Sequence, residues 1–243
     1  MHGPARQKGL VSIVIPAHRE IENIDPLLAE LRAALERLPG PAEMVIVDVG
    51  SSDGTAERLL AESRRDPRVR PVLLESRAGQ SAALAAGLLR AGGDVIVTMD
   101  ADLQNDPADI PRLLEALARA DVVSGIRRRR NDTWVRRVSS RIANGVRRGV
   151  LGDPVTDIGC SLKAYRREAL EAMPLFVGAH RFLPALCVLR GARFVEIDVH
   201  HRPRRGGSSK YGVGNRLWRG IADLLGVLWL KSRLVRYRVH EVD

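Results

Sequence analysis

Two aspartates, Asp100 and Asp102, stand two positions apart at the end of the apolar run Val95 to Met99. In extended backbone alternate residues share a face, so both carboxylates can point into one pocket mouth and hold a single hard cation between them. Mg²⁺ or Mn²⁺ is typically held by one or two carboxylates plus the phosphates of a substrate, so a diphosphate would complete such a site, with Gln104 able to add or orient an oxygen ligand. Equally, the pair can form a solvated turn that caps the helix opened by Pro107. Other polar clusters are Ala17-His18-Arg19-Glu20 and the run Asp48 to Thr55. A third group is basic. Arg204 and Lys210 flank Gly206-Gly207-Ser208-Ser209, a segment able to close over bound phosphate, and Arg136 and Ser140 share a helical face downstream of Arg127. Arginine grips phosphate through two donors, although a run of charge in solvent is the plainer reading of both basic segments.

These residues must be positioned by the elements around them. Short Val/Ile-rich runs recur at Val11–Ile15, Met44–Val47, Val69–Leu74, Val95–Met99 and Val122–Ser124, and helical patterns separate them at Ile24–Leu38, Thr55–Ser63, Ser81–Arg90 and Ala108–Arg119. That alternation predicts an α/β fold, a mostly parallel sheet flanked by helices. In such open sheets ligands bind beyond the carboxyl ends of the strands, where the clusters after Ile15, Val47 and Met99 fall. Ser52 or Asp53 can cap the second helix, and Pro107 opens the fourth. After Gly125 the alternation fades into a basic helix (Trp134 to Arg148), a short strand near Leu162–Tyr165, helices around Arg167–Met173 and Phe182–Arg190, and a strand Arg193–Val199.

The chain has 243 residues, of which 45% are hydrophobic, enough for a sizeable core. Its 39 Lys and Arg against 29 Asp and Glu leave +10, so anionic partners are expected. No helix-turn-helix, zinc-finger or RNA-binding signature accompanies that charge, and aromatics are only 4%, which argues against a nucleic-acid partner. A dinucleotide oxidoreductase is disfavoured because the first strand is followed by Pro16-Ala17-His18-Arg19-Glu20, not by a glycine-rich turn. Cys160 and Cys187 match no metal-ligand spacing and read as reduced thiols. The run Leu10–Ala17 has no small-residue cleavage site and reads as a buried strand, not a signal peptide.

Taken together, Val14-Ile15-Pro16, Val47-Asp48 with Gly50-Ser51-Ser52-Asp53-Gly54-Thr55, Ala82-Ala83-Leu84 with Ala86-Gly87, Met99-Asp100-Ala101-Asp102-Leu103-Gln104, Asp157 with Gly159-Cys160, and Arg204 followed by Gly207, Ser209, Lys210 and Tyr211 resemble inverting glycosyltransferase family 2. The resemblance is to its polyprenyl-phosphate branch and runs from about Val11 to Leu230. It implies a GT-A, Rossmann-like fold and a metal-bridged nucleotide-diphosphate sugar as donor. Carried over, Pro16, Ala17, Glu20, Asp48 and Asp53 lie on the nucleotide side with Arg204 and Lys210. Asp100, Asp102 and Gln104 then lie on the metal side, Arg127, Arg136 and Ser140 at the acceptor phosphate, and Asp157 near the nucleophile. A helix cap is the alternative for Asp53. Val49 stands where the family usually has a second Asp, His18 where it usually has Asn, and Arg77 where Asn is common.

The resemblance makes 10–212 the catalytic domain and 213–243 a C-terminal amphipathic segment. From Arg216 to Arg238 apolar Trp218, Leu224, Leu225, Val227, Leu228 and Trp229 are set among six basic residues, Arg216, Arg219, Lys231, Arg233, Arg236 and Arg238. Such a helix suits an anionic membrane surface, or docking on the catalytic domain, a second copy or a membrane-protein partner. The implied enzyme is peripheral on the cytoplasmic face of the membrane and glycosylates polyprenyl phosphate. A saccharide acceptor, or a binder without turnover, is the alternative.

Overall fold

The computed structural model describes residues 4, 6–127, 145, 147–171, 173–203 and 213–233, the side chains of 213–219 and 221 excepted. One seven-stranded sheet organises the molecule in the order β3-β2-β1-β4-β6-β5-β7. Its strands are β1 (Gln7–Ala17), β2 (Ala42–Val49), β3 (Val69–Leu74), β4 (Gly93–Thr98), β5 (Val122–Ile126), β6 (Lys163–Arg166) and β7 (Phe194–Asp198). The helices are α1 (Ile21–Leu35), α2 (Thr55–Arg65), α3 (Gln80–Arg90), α4 (Ile110–Ala116), α5 (Arg167–Leu170), α6 (Ala179–Leu189) and α7 (Val213–Arg233).

Strand parity sorts the core into two layers. Ile13 and Ile15 of β1 pack with Ile24, Leu27, Leu28 and Leu31 of α1 and with Ile110 and Leu113 of α4. Val14, pointing the other way, packs with Ala83 and Leu84 of α3 and with Leu183 and Cys187 of α6. Contact between α3 and the sheet is close: a Cβ at Gly87 would overlap Val14 Cγ1.

The first four strands are mutually parallel, as the alternation predicts, with β1 paired to both β2 and β4. Beyond them the order departs from a simple continuation. β6 inserts antiparallel between β4 and β5, pairing Thr98 with Lys163 on one side and Ser124 with Lys163 on the other. A four-residue strand gives no sequence signal of its partner or direction, so its start at the carboxyl end of β4 is a finding of the structure. The fourth helix is also shorter than its pattern: Asp106 accepts Ala108 N at 3.0 Å to cap a 3₁₀ turn, Pro107–Asp109, and α4 follows.

A third apolar cluster joins α7 to the rest. Val227 is fully buried with Leu151, Phe182 and Leu186, and Lys231 Nζ donates to the carbonyl of Leu151 at 2.7 Å. The opposite edge of α7 leaves Leu225 and Trp229 largely exposed and Leu228 partly so. No helix among the described residues is long and apolar enough to cross a membrane.

Candidate active site

Three loops meet beyond the carboxyl ends of β1, β2 and β4. The first two are laced together. His18 Nδ1 meets the Val49 carbonyl at 2.9 Å, Arg19 N donates to Ser51 Oγ at 2.8 Å, and Glu20 N donates to Thr55 Oγ1 at 3.1 Å. The His18 ring thus bridges the two loops. Pro16 and Ala17 end β1 beside Val47 and Asp48. Asp48 is buried; its Oδ2 accepts Ser51 N at 3.0 Å while Oδ1 is enclosed without a partner. A buried acceptor left open is costly and marks Asp48 as the nucleotide-side residue best poised for a ligand donor.

Asp53, expected on the nucleotide side or as a helix cap, is engaged by the chain around it. Its Oδ1 accepts both Thr55 N and Thr55 Oγ1, and its Oδ2 accepts Ile21 N, so one carboxylate ties the start of α2 to the start of α1. These donors hold its pKa below the usual carboxylate value against the opposing effect of burial. The capping position of α2 is itself Gly54, in the left-handed region, so Asp53 braces the turn one residue before it. Glu20 contributes an acceptor to Asn23 Nδ2 at 2.5 Å.

Asp100 and Asp102 lie in a bend past the end of β4, not in extended strand, and Leu103 beside them has φ +60°. The expectation that an extended strand aligns them is therefore corrected, yet the bend still brings them within electrostatic reach. Asp100 has its pKa raised to about 6, first by desolvation and next by the charge of Asp102. Gln80 Nε2 donates to Asp100 Oδ1 at 2.8 Å, and Asp102 Oδ1 accepts Gln104 N at 3.2 Å. Gln104 is fixed through its backbone, its carbonyl accepting Arg202 N at 2.8 Å. Among the described residues no group of three or more His, Cys, Asp or Glu forms a metal cage. The donor set is two carboxylates side by side, which fits a hard divalent cation whose remaining ligands come from phosphate.

Asp157 and Arg127 form one unit. The Arg127 fork meets Asp157 at 2.8 and 2.9 Å, and Glu196 of β7 accepts Thr156 N at 2.7 Å and Thr156 Oγ1 at 2.6 Å to hold that loop. Arg127 is thereby oriented, not a free phosphate-seeking cation. Arg136, Ser140, Arg204 and Lys210 lie outside the described residues.

The geometry adds residues that motif reading passed over. A cavity of ≈ 190 Å³ opens beside Asp100, lined among others by Pro16, Gln80, Ser161, Lys163, His180 and Arg181. Ser81 Oγ accepts Gly178 N at 3.0 Å and sits 2.8 Å from His180 Nδ1. Burial lowers the His180 pKa to about 4. The Ser81 hydroxyl and Nδ1 share one hydrogen bond that holds the ring in place, with donor and acceptor set by the tautomer. Burial likewise lowers the pKa of Lys163, which the charges of Cys160 and Asp100 oppose. The signal for Lys163 was a lone charge inside the apolar stretch Leu162–Tyr165; His180 gave none.

Comparison with known proteins places this geometry. The family model described as "Glycosyl transferase family 2" matches residues 12–173. The undecaprenyl-phosphate 4-deoxy-4-formamido-L-arabinose transferase of Edwardsiella ictaluri is 42% identical over 206 residues, covering 84% of this chain and 63% of that protein. Its counterpart in Serratia proteamaculans is 40% identical over 205 residues with the same coverages, 84% and 63%. The chain thus spans less than two thirds of the length of these relatives. Among solved structures, glucosyl-3-phosphoglycerate synthase from Mycobacterium tuberculosis in complex with UDP superposes with a TM-score of 0.66 at 21% identity, over 93% of this chain and 81% of that one. The same enzyme with Mn²⁺, UDP-glucose and phosphoglyceric acid gives a TM-score of 0.67 at 20% identity, again over 93% and 81%.

Proposed function

This chain belongs to glycosyl transferase family 2, and from that membership we propose that it moves a sugar from a UDP- or GDP-linked donor to a polyprenyl phosphate. One observation carries the reading: Asp100, within electrostatic reach of Asp102, lines a cavity that also holds a buried lysine. The relatives named for undecaprenyl-phosphate support the acceptor, and the neighbour crystallised with Mn²⁺ and UDP-glucose supports the metal and the donor.

In this reading an oxygen of the acceptor phosphate bonds to the anomeric carbon from the face opposite the leaving group, while the bond from that carbon to the diphosphate breaks. The configuration inverts and nucleoside diphosphate departs. A phosphate monoester has its second pKa at about 6, so the nucleophile is already largely ionised and no strong base is needed. Mg²⁺ or Mn²⁺ at Asp100 and Asp102 supplies charge stabilisation for the diphosphate. Asp48 accepts from the nucleoside, while Pro16, Ala17 and Glu20 shape that wall. Asp157 aims Arg127 toward the acceptor side. Arg136 and Ser140 belong to that side by charge and family position, and Arg204 and Lys210 to the phosphate cover. The exposed Leu225, Leu228 and Trp229 edge of α7, next to Lys231 and Arg233, rests on the anionic inner face of the cell membrane where the acceptor resides.

The test is transfer from a panel of UDP- and GDP-sugars to polyprenyl phosphate with Mg²⁺, Mn²⁺ or chelator, comparing wild type with Asp102→Ala. Metal-dependent glycosyl-lipid absent from the variant supports the reading. Efficient transfer to water-soluble saccharides, with none to polyprenyl phosphate, sinks it.

A further inference from the structure

Lys163 opens β6, and its pairing with Thr98 sets it at the carboxyl end of β4, next to the acidic bend. It shares strand parity with Tyr165, so its side chain enters the layer between the sheet and the helices α3 and α6. Only 3% of the residue is exposed. Its ammonium nevertheless makes no hydrogen bond and no ion pair among the described residues, and the side chain lines the cavity beside Asp100.

Most other polar groups of the wall bond to one another, the exposed Arg181 guanidinium excepted. Gln80 Nε2 donates to Asp100, the Thr98 hydroxyl donates to the Ser161 carbonyl at 2.9 Å, Asn105 Nδ2 donates to Ser161 Oγ at 2.7 Å, and Ser81 Oγ meets His180 Nδ1. What stays open is a set of cationic donors: three on Lys163 and the guanidinium of Arg181 at the exposed rim. The ammonium is not sealed away, since it opens onto the cavity, and an anionic ligand entering there can replace the water that otherwise solvates it. The ligand must be small, since ≈ 190 Å³ lies below the roughly 300–1,000 Å³ of drug-sized pockets, and it must be rich in anionic acceptors.

We infer that Lys163 is the cation that grips a phosphate oxygen inside this cavity, opposite the carboxylate pair, so that the reacting phosphate is held from two sides. The inference rests on the proposed function and adds to it a binding residue outside the acidic motif and outside the basic segments of the sequence. The phosphate belongs to the donor diphosphate or to the acceptor monoester, two sources of one chemistry.

Isothermal titration separates them. UDP and GDP with Mn²⁺ form the donor arm, farnesyl phosphate forms the acceptor arm, and wild type is compared with Lys163→Met, Lys163→Gln and Lys163→Arg, each checked by its melting temperature. Removing an unpaired buried charge is expected to leave the melting temperature unchanged or raised. Affinity should fall at least tenfold in Lys163→Met and Lys163→Gln in one arm, which names the source, with partial recovery in Lys163→Arg. Affinities within twofold of wild type in both arms overturn the inference while leaving the proposed function standing. So does a lowered melting temperature with both arms weakened in parallel, because the lysine then holds the fold. Wild type that binds neither nucleotide nor farnesyl phosphate overturns the proposed function itself.

Discussion

Arg127 and Asp157 meet fork to fork, Nε to Oδ2 at 2.8 Å and Nη2 to Oδ1 at 2.9 Å, and the Arg127 backbone N–H donates to the same Oδ2 at 3.2 Å. Both side chains are mostly buried, at 16% and 7% exposure, so neither finds water if the other is lost. Asp157→Ala is expected to cost about 3–5 kcal/mol, as removing one partner of a buried pair does. Urea denaturation measures it. Asp157→Asn keeps the shape and one acceptor, so it should cost less while still reducing turnover by misaiming Arg127.

Asp102→Asn should leave the melting temperature close to that of wild type, because an amide oxygen can accept Gln104 N as Asp102 Oδ1 does. Transfer activity should fall by about 10²-fold or more, the scale of losing one electrostatic contact to a leaving group. A variant retaining a third of wild-type rate would remove Asp102 from the metal site.

The His180 pKa, lowered by burial from 6.5 to about 4, fixes a sign. The folded state holds the ring neutral while the unfolded state takes up a proton, so this contribution is complete above pH 6.5 and is lost as pH falls toward about 4. Relative to His180→Asn, wild type should lose up to about 3 kcal/mol across that window, at about 1.4 kcal/mol per tenfold in proton affinity. Parallel curves for the two proteins would contradict the buried neutral ring.

Gly87→Ala should destabilise by about 1–3 kcal/mol through overpacking, since the new methyl overlaps Val14 Cγ1 and crowds Val47 Cγ2 at 3.1 Å. A helix interior ordinarily favours alanine by about 1 kcal/mol, so a net loss isolates the close approach of α3 to β1. Thermal unfolding reads it.

On α7 two edges should behave oppositely. Replacing exposed Leu225, Leu228 and Trp229 with serine is expected to abolish co-sedimentation with vesicles containing anionic lipid while preserving the melting temperature. Val227→Ala, in the buried cluster with Leu151 and Phe182, should lower stability by about 1–3 kcal/mol and leave vesicle binding intact.

The first four strands were legible because each is a Val/Ile-rich run bounded by turn residues, and the helices between them carry a clear apolar period. The acidic pair was legible as chemistry, yet its backbone was misread: a strand pattern says nothing of where extension stops, and Leu103 at positive φ shows that it has stopped. Asp53 could not be resolved from sequence because a nucleotide contact and a helix cap ask for the same side chain. Lys163 was hidden for another reason: its importance comes from the antiparallel insertion of β6, a long-range pairing that no local pattern encodes.

That insertion also orders events in time. Thr98 pairs with Val14 of β1, 84 positions before it, and with Lys163 of β6, 65 positions after it. In the order of synthesis the parallel half of the sheet is therefore whole before β6 emerges, and the floor of the cavity arrives with β6. A ribosome that has released residues only as far as Ile126 has delivered both acidic residues and no lysine to face them.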